Sequence, residues 1–274
     1  MIDLHCHILP KLCDGSQDLE TSLEMAQIAV SDGISIQACT PHIYPGAYDN
    51  NTQIIQSAID SLQGELDARS IPLKLVIGAD THMVPEVMSG LKSGRIPCLN
   101  NSQYFLLEPS HHISVPQFVE RTVNFVRAGY TPLITHPERL HWLDDDYYPD
   151  FVEAAKKGAW IQITAGAIEG RFGKKAKYWA ERFLDDGLVH VIATDAHGVE
   201  NRPPVLSVGV SLAEKIVGRE EVDKMVNERP QAVIDNISVA DVHMPEGVRG
   251  EIKGFGNDSE KKIKKSFFQK IFGG

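Results

Sequence analysis

Ile2-Asp3-Leu4-His5-Cys6-His7 is a short apolar run that ends in two histidines separated by a single cysteine. Ile2 to Cys6 has the length and composition of a buried strand, and what repeats after it decides the fold. Comparable runs recur at Ile34 to Thr40, Leu73 to Ala79, Tyr104 to Glu108, Thr131 to Thr135, Ala159 to Thr164 and Leu188 to Thr194, which makes seven candidate strands. Between them lie stretches of helical period or composition: Leu19 to Val30, Thr52 to Ala68, Val115 to Ala128, Tyr147 to Lys157 and Lys174 to Asp186. Gly33, Gly129, Gly158 and Gly187 follow several of these helices, where a left-handed residue ends a helix. Strand and helix in alternation predict a parallel sheet covered by helices, and the lack of a Gly-rich phosphate loop favours a barrel over a doubly wound sheet. The expected fold is therefore α/β, a seven-stranded (β/α) barrel over residues 1–240. Further helices near Pro204 to Val217 and Glu220 to Asn236 are expected to pack on it.

The bulk numbers agree with one soluble domain plus a tail. The chain has 274 residues, 42% of them hydrophobic and 23% charged. A formal net charge of −10 repels polyanions and disfavours nucleic acid as a partner. Cys6, Cys13, Cys39 and Cys98 show no CxxC spacing, and no secretory leader is apparent, so a reduced, cytoplasmic protein is expected. From about Asp241 the composition turns to Gly, Pro and charge, and it finishes in the basic, amphipathic run Lys261 to Phe272. Residues 241–274 are expected to form a tail, a frayed terminus in the plainer reading and in the sharper one a contact with an acidic membrane surface or a partner groove.

In a parallel barrel the loops that follow the strands gather on one face, so side chains at strand C-termini converge even when distant in sequence. Here those positions hold His5 and His7, His42, Asp80, Glu108, His136, and finally Asp195 and His197. His5 and His7 are spaced to point to one side of a strand while Cys6 points to the other. Asp195-Ala196-His197 repeats that spacing on the last strand, which barrel closure would bring beside the first. Mixed imidazole and carboxylate donors suit a divalent transition metal, and there are more of them than one ion can use. Two or three metals together can acidify water and clamp the oxygens of an in-line displacement, which makes phosphate ester hydrolysis their natural reaction. Arg139 and Arg202 follow His136 and His197 closely and are candidate catalytic residues, since a guanidinium grips phosphate oxygens at two points. Pro203-Pro204 would hold Arg202 extended. No Cys-x5-Arg, GxxxxGK[ST] or GxSxG pattern offers a competing chemistry. His82, His111, His112, His141, His190 and His243 have no such support and are read as structural or exposed, with His82 a minor candidate beside Asp80.

These residues resemble the PHP (polymerase and histidinol phosphatase) superfamily, whose members are distorted (β/α)7 barrels with a trinuclear metal site at the C-terminal ends of the strands. The match spans roughly residues 1–236. Within it, Met1-Ile2-Asp3-Leu4-His5-Cys6-His7 with Asp14-Gly15, then Thr135-His136-Pro137-Glu138-Arg139, then Ala193-Thr194-Asp195-Ala196-His197 with Arg202-Pro203-Pro204 look most like the bacterial tyrosine-protein phosphatases of capsule and exopolysaccharide operons. The resemblance implies one metal on His5, His7 and Asp195, a second on Asp14, His42 and His197, and a third on Glu108 and His136, with Asp80 bridging the first and third. It further implies two or three divalent ions, manganese first with iron or zinc as alternatives. A hydroxide that the metals supply would attack the phosphorus of a phosphotyrosine. The implied partner is the phosphotyrosine-bearing tail of a membrane-associated bacterial tyrosine kinase. One position departs from the pattern: a glutamate is expected where Asp80 stands, and the shorter side chain puts its bridging role in question. The competing expectations are a small-molecule phosphatase of the histidinol-phosphate type and a metal-binding regulatory module without activity.

Overall fold

A computed structural model describes residues 1–249. Its elements alternate in the expected order: β1 (Ile2–Cys6), α1 (Leu19–Ser31), β2 (Ile36–Cys39), β3 (His42–Ile43), α2 (Thr52–Ala68), β4 (Lys74–Ile77), β5 (Asp80–His82), α3 (Val87–Lys92), β6 (Tyr104–Glu108), α4 (Phe118–Arg127), β7 (Thr131–Thr135), α5 (Tyr148–Lys156), β8 (Trp160–Thr164), α6 (Ala165–Glu169), α7 (Gly173–Asp185) and β9 (Val191–Ala193). All strand pairings are parallel, in the orders β1-β2-β4 and β3-β5-β6-β7-β8-β9. Nine segments make seven barrel staves, because β3 and β5 continue the staves of β2 and β4 beyond the expected strands Ile34 to Thr40 and Leu73 to Ala79. The breaks have local causes. Pro41 lacks an N–H to donate to the ladder. Gly78 lies against the Thr40 and Leu99 side chains, where a Cβ would come within 2.8 Å of Leu99.

The seam between the last and first staves runs through the residues just beyond β9. Asp195 N–H donates to His5 O at 2.8 Å and His7 N–H donates to Ala196 O at 2.9 Å. Asp3 ties the same seam from within: its fully buried carboxylate accepts from Gln37 Nε2 at 2.9 Å and from Thr194 N–H at 3.0 Å. The two parallel sheets and this seam make a distorted (β/α)7 barrel in which an isolated bridge, Cys6 with Ala196, rather than a continuous ladder joins the last stave to the first.

Alternation along the strands divides the core. Phe105, Leu107, Ile134, Ile161, Ile163 and Ile192 join the large cluster shared with the helices. Leu4, Ala38, Val76, Leu106, Leu133, Trp160 and Val191 form a second cluster, as period-two side chains on a sheet covered on both faces must. The helices end where expected, with Gly33, Gly129, Gly158 and Gly187 all at positive φ.

After β9 come α8 (Ser207–Val217), α9 (Arg219–Asp223), a π-helical turn Lys224–Glu228, α10 (Arg229–Ile234) and α11 (Glu246–Arg249). Val233 and Ile234 of α10 belong to the second cluster. Residues 241–249, the start of the expected tail, pack on the barrel through buried Val242 and through Gly247 N–H donating to Gly187 O at 3.0 Å. The remainder of that expected tail, residues 250–274, lies outside the described residues. No described helix is long and apolar enough to cross a membrane.

Candidate metal centre

All nine expected donors meet at the C-terminal ends of the strands. His5 and His7 leave β1 on the same side, and their Nε2 atoms lie 3.2 Å apart. Asp195 Oδ1 sits 3.2 Å from the first and 3.3 Å from the second, so the expected trio shares one focus. Gln162 of β8 holds His5 Nδ1 at 2.8 Å and thereby aims Nε2 at that focus. Cys13 Sγ stands 3.2 Å from His7 Nδ1 in the same supporting position.

The second expected group also converges. Asp14 Oδ1 lies 3.5 Å from His42 Nε2 and 3.4 Å from His197 Nε2, and His7 is close enough to join them. Asp14 is carried by a loop that Gly15 presses onto β1, so closely that a Cβ there would fall 2.2 Å from His7 O. Around Glu108 the donor set is larger than expected. Oε1 faces His136 Nε2 at 3.7 Å and His111 Nε2 at 3.2 Å, while Oε2 faces His82 Nε2 at 2.6 Å. His111 had no sequence signal because it belongs to the β6–α4 loop, three residues past the strand end. Asp80 Oδ2 lies 3.4 Å from His5 Nε2 and 3.2 Å from His42 Nδ1. These short contacts run toward the first and second groups, whereas bridging was expected between the first and third.

Backbone strain accompanies the convergence. His136 and Asp195 adopt φ of 34° and 50°, a left-handed conformation costly for residues with a Cβ and concentrated at functional sites.

The electrostatics test whether cations fit here. Four carboxylates, Asp14, Asp80, Glu108 and Asp195, crowd one cleft with four buried imidazoles, those of His5, His7, His42 and His136. Burial opposes a charge on His5, but the facing Asp195 and Asp80 carboxylates outweigh it and push its pKa up to about 9. His42, buried against Asp80, Glu108 and Asp14, is likewise pushed up to about 9. Protons on these rings supply positive charge that the carboxylates demand. Burial together with His197 and His42 drives the His7 pKa well down, and burial with Arg139 does the same for His136, so both rings keep free lone pairs. Asp80 Oδ2, His42 Nδ1 and His136 Nδ1 are buried without a hydrogen bond. His42 Nδ1 and Asp80 Oδ2 are orphaned despite their 3.2 Å approach, because the two are misaligned for one. A buried, acceptor-rich cluster with orphaned donor atoms fits divalent cations.

Arg139 and Arg202 both reach Asp195 Oδ2. Together with Asp14, His42, His136 and His197 they line a cleft of about 450 Å³, whose wall also includes Tyr44, Tyr48, Met83 and Val84.

The profile of the capsular polysaccharide synthesis family, CpsB/CapC, matches residues 1–235. The chain belongs to the CpsB/CapC family. The tyrosine-protein phosphatase YwqE of Bacillus subtilis is 35% identical over 242 residues, covering 87% of this chain and 93% of its own. Tyrosine-protein phosphatase CpsB of Streptococcus agalactiae is 28% identical over 245 residues, 86% of this chain and 99% of its own. Crystal structures of YwqE and of CpsB from Streptococcus pneumoniae are described as those of unique metal-dependent tyrosine phosphatases. The matched chain superposes with a TM-score of 0.82 at 32% identity, covering 90% of this chain and 98% of that one. A histidinol phosphate phosphatase from Lactococcus lactis, 15% identical with a TM-score of 0.53, covers 78% of this chain and 92% of its own and shares the fold. The distorted α/β barrel expected from the sequence is thus the fold shared with the metal-dependent tyrosine phosphatase structure at 32% identity.

Proposed function

We propose that this protein is a metal-dependent protein-tyrosine phosphatase acting on the phosphotyrosine-bearing tail of a membrane-associated bacterial tyrosine kinase that controls capsule or exopolysaccharide synthesis. The observation that carries this reading is one cleft that joins the carboxylate–imidazole cluster, two guanidiniums and an aromatic wall. The cluster would hold two or three divalent ions: His5, His7 and Asp195 one of them, Asp14, His42 and His197 another, Glu108 and His136 a third, with Asp80 between groups. Manganese is the first choice, and iron or zinc have the same donor preferences. When bound, such ions acidify water and stabilise charge on phosphate oxygens.

The rest follows from the chain itself. Arg139 and Arg202 converge on one carboxylate oxygen, so both stand at the same end of the cleft, where they would grip the phosphate as charge develops on it. Tyr44, stacked on His82 at 4.3 Å between ring centroids, and Tyr48, stacked on His42 at 5.5 Å, offer faces to an aryl ring. A phenol of pKa near 10 leaves without strong acid assistance, which suits a site with no dedicated proton donor assigned. We place the enzyme in the cytoplasm, where a kinase tail would be accessible.

The test compares a phosphotyrosine peptide, a phosphoserine peptide and histidinol phosphate at matched concentration with manganese supplied. Turnover is expected to favour phosphotyrosine by at least about tenfold, to vanish after EDTA and to return with manganese. A preference for histidinol phosphate would point instead to a small-molecule phosphatase, and stoichiometric metal without any turnover to a regulatory module.

A further inference from the structure

Arg139 and Arg202 carry like charges yet share one oxygen of Asp195. Something besides that carboxylate has to hold them together, because Asp195 is also an expected metal ligand and its charge would be divided in the loaded enzyme. The ring of Phe172 is in position to do so. The Arg139 guanidinium carbon lies 4.2 Å from the ring centroid and that of Arg202 lies 5.7 Å from it, both within cation–π range. The ring is a partner whose attraction for cations does not depend on what else Asp195 binds.

Phe172 is itself held firmly. It sits in the α6–α7 connection between Gly170 and Gly173, with φ of 92° and 87°, in a left-handed region that favours glycine. Arg171 N–H donates to Gly166 O at 2.9 Å and Gly173 N–H donates to Gly170 O at 3.0 Å, which tightens the turn. The ring edge rests on Gly166, where an added Cβ would meet Phe172 Cε2 at 3.1 Å. The ring therefore lies between Gly166 on one side and the two guanidiniums on the other.

We propose that Phe172 is a positioning residue that holds Arg139 and Arg202 at the phosphate-binding end of the cleft by cation–π contact. This rests on the reading that the two arginines grip the substrate phosphate. Phe172 is not among the residues that line the cleft, and it would act only through the guanidiniums.

The experiment measures binding of inorganic phosphate, as a competitive inhibitor, to the manganese-loaded full chain, together with KM, kcat, metal content and melting temperature. Phe172→Leu keeps an apolar side chain but removes the ring face. It is expected to weaken phosphate binding roughly 3- to 30-fold and to raise KM for a phosphotyrosine peptide in parallel, with metal content unchanged. Phe172→Tyr, which keeps the ring, is expected to stay within about twofold of the parent. Gly166→Ala, which crowds the ring out of place, is expected to shift phosphate binding in the same direction as Phe172→Leu and carries the test if the leucine variant is unstable. Unchanged phosphate affinity in Phe172→Leu and Gly166→Ala overturns the proposal, as does an equal loss in Phe172→Tyr. Arg139→Ala separates the two levels of argument. If it weakens phosphate binding while Phe172→Leu does not, only the platform role fails. If it too leaves binding unchanged, the phosphate role of the arginines fails and takes the platform with it.

Discussion

The two arginines are the residues on which the chemistry of this site is most exposed to a conservative change. A guanidinium presents a planar fork, whereas an ammonium is a compact point charge that cannot grip two phosphate oxygens or lie flat on Phe172. Arg139→Lys is therefore expected to lower kcat/KM for a phosphotyrosine peptide by about 10²-fold, on the scale of removing one charge-stabilising donor, without changing metal content. Steady-state kinetics with metal analysis checks this, and near-parental turnover would remove Arg139 from the mechanism. Gly15 gives a second residue-scale test. With His7 O and Cβ 2.2 and 2.4 Å from the site of a new methyl, Gly15→Ala has to shift the Asp14 loop. It is expected to lower bound metal per chain while the circular dichroism spectrum stays that of the parent. At this scale the sequence is legible where convergence follows the strand pattern: His5, His7, His42, Asp80, Glu108, His136, Asp195 and His197 are all readable as positions at or just beyond expected strand ends, and they lie together in the structure. His111 and Phe172 are not, because each sits in a loop, His111 between β6 and α4 and Phe172 between Gly170 and Gly173, whose path is set by tertiary contacts rather than by periodicity.

Element boundaries depend on contacts that a one-dimensional pattern does not contain. The expected strands Ile34 to Thr40 and Leu73 to Ala79 were right in place, but their continuation past Pro41 and Gly78 as β3 and β5 was not visible, since it is the neighbouring stave that pairs them: His42 aligns with Asp80, and Asp80 with Leu106. Asp3 was equally silent. A carboxylate in an apolar strand reads as noise until Gln37 and Thr194 are seen to receive it. The crossing of α6 and α8 is a further feature of this kind. Gly209 of α8 lies so close to Ala165 that a Cβ would meet its Cβ at 2.7 Å and its backbone at 2.8 Å. Backbone atoms cannot rotate out of the way, so Gly209→Ala is expected to cost about 1–3 kcal/mol despite the higher helix propensity of alanine. Urea unfolding of the parent and the variant measures this, and a stabilised Gly209→Ala would mean that the two helices are free to separate.

Across the whole molecule, the end of the barrel opposite the metal centre has its own buried polar system. Arg229, fully buried at the start of α10, donates to His243 O at 2.7 Å and pairs with Glu221 at 2.6 Å, binding the C-terminal helices to one another. It also lies against the backbone of His190, whose ring stacks on Trp160 at 5.1 Å. His190 Nδ1 accepts a hydrogen bond from Ile161 N–H at 3.0 Å, which leaves any proton of the neutral ring on Nε2. Burial, reinforced by the Arg229 charge, drives the His190 pKa well below its ordinary 6.5. The folded state therefore binds fewer protons at this site than the unfolded chain does, and linkage makes stability fall as pH falls. The contribution is whole above 6.5 and is lost progressively below it, at up to about 1.4 kcal/mol per pH unit until the folded ring itself titrates. His190→Asn keeps an acceptor near Ile161 N–H and removes the titrating ring. The loss of stability between pH 8 and pH 5.5 is thus expected to be smaller in the variant by about 1 kcal/mol. Urea unfolding of metal-free protein at the two pH values measures the difference, since carboxylate and imidazole titrations at the metal centre are common to both chains and cancel. Parallel pH slopes in parent and variant would show that His190 does not govern acid stability, and would shift that role to the histidines of the metal centre.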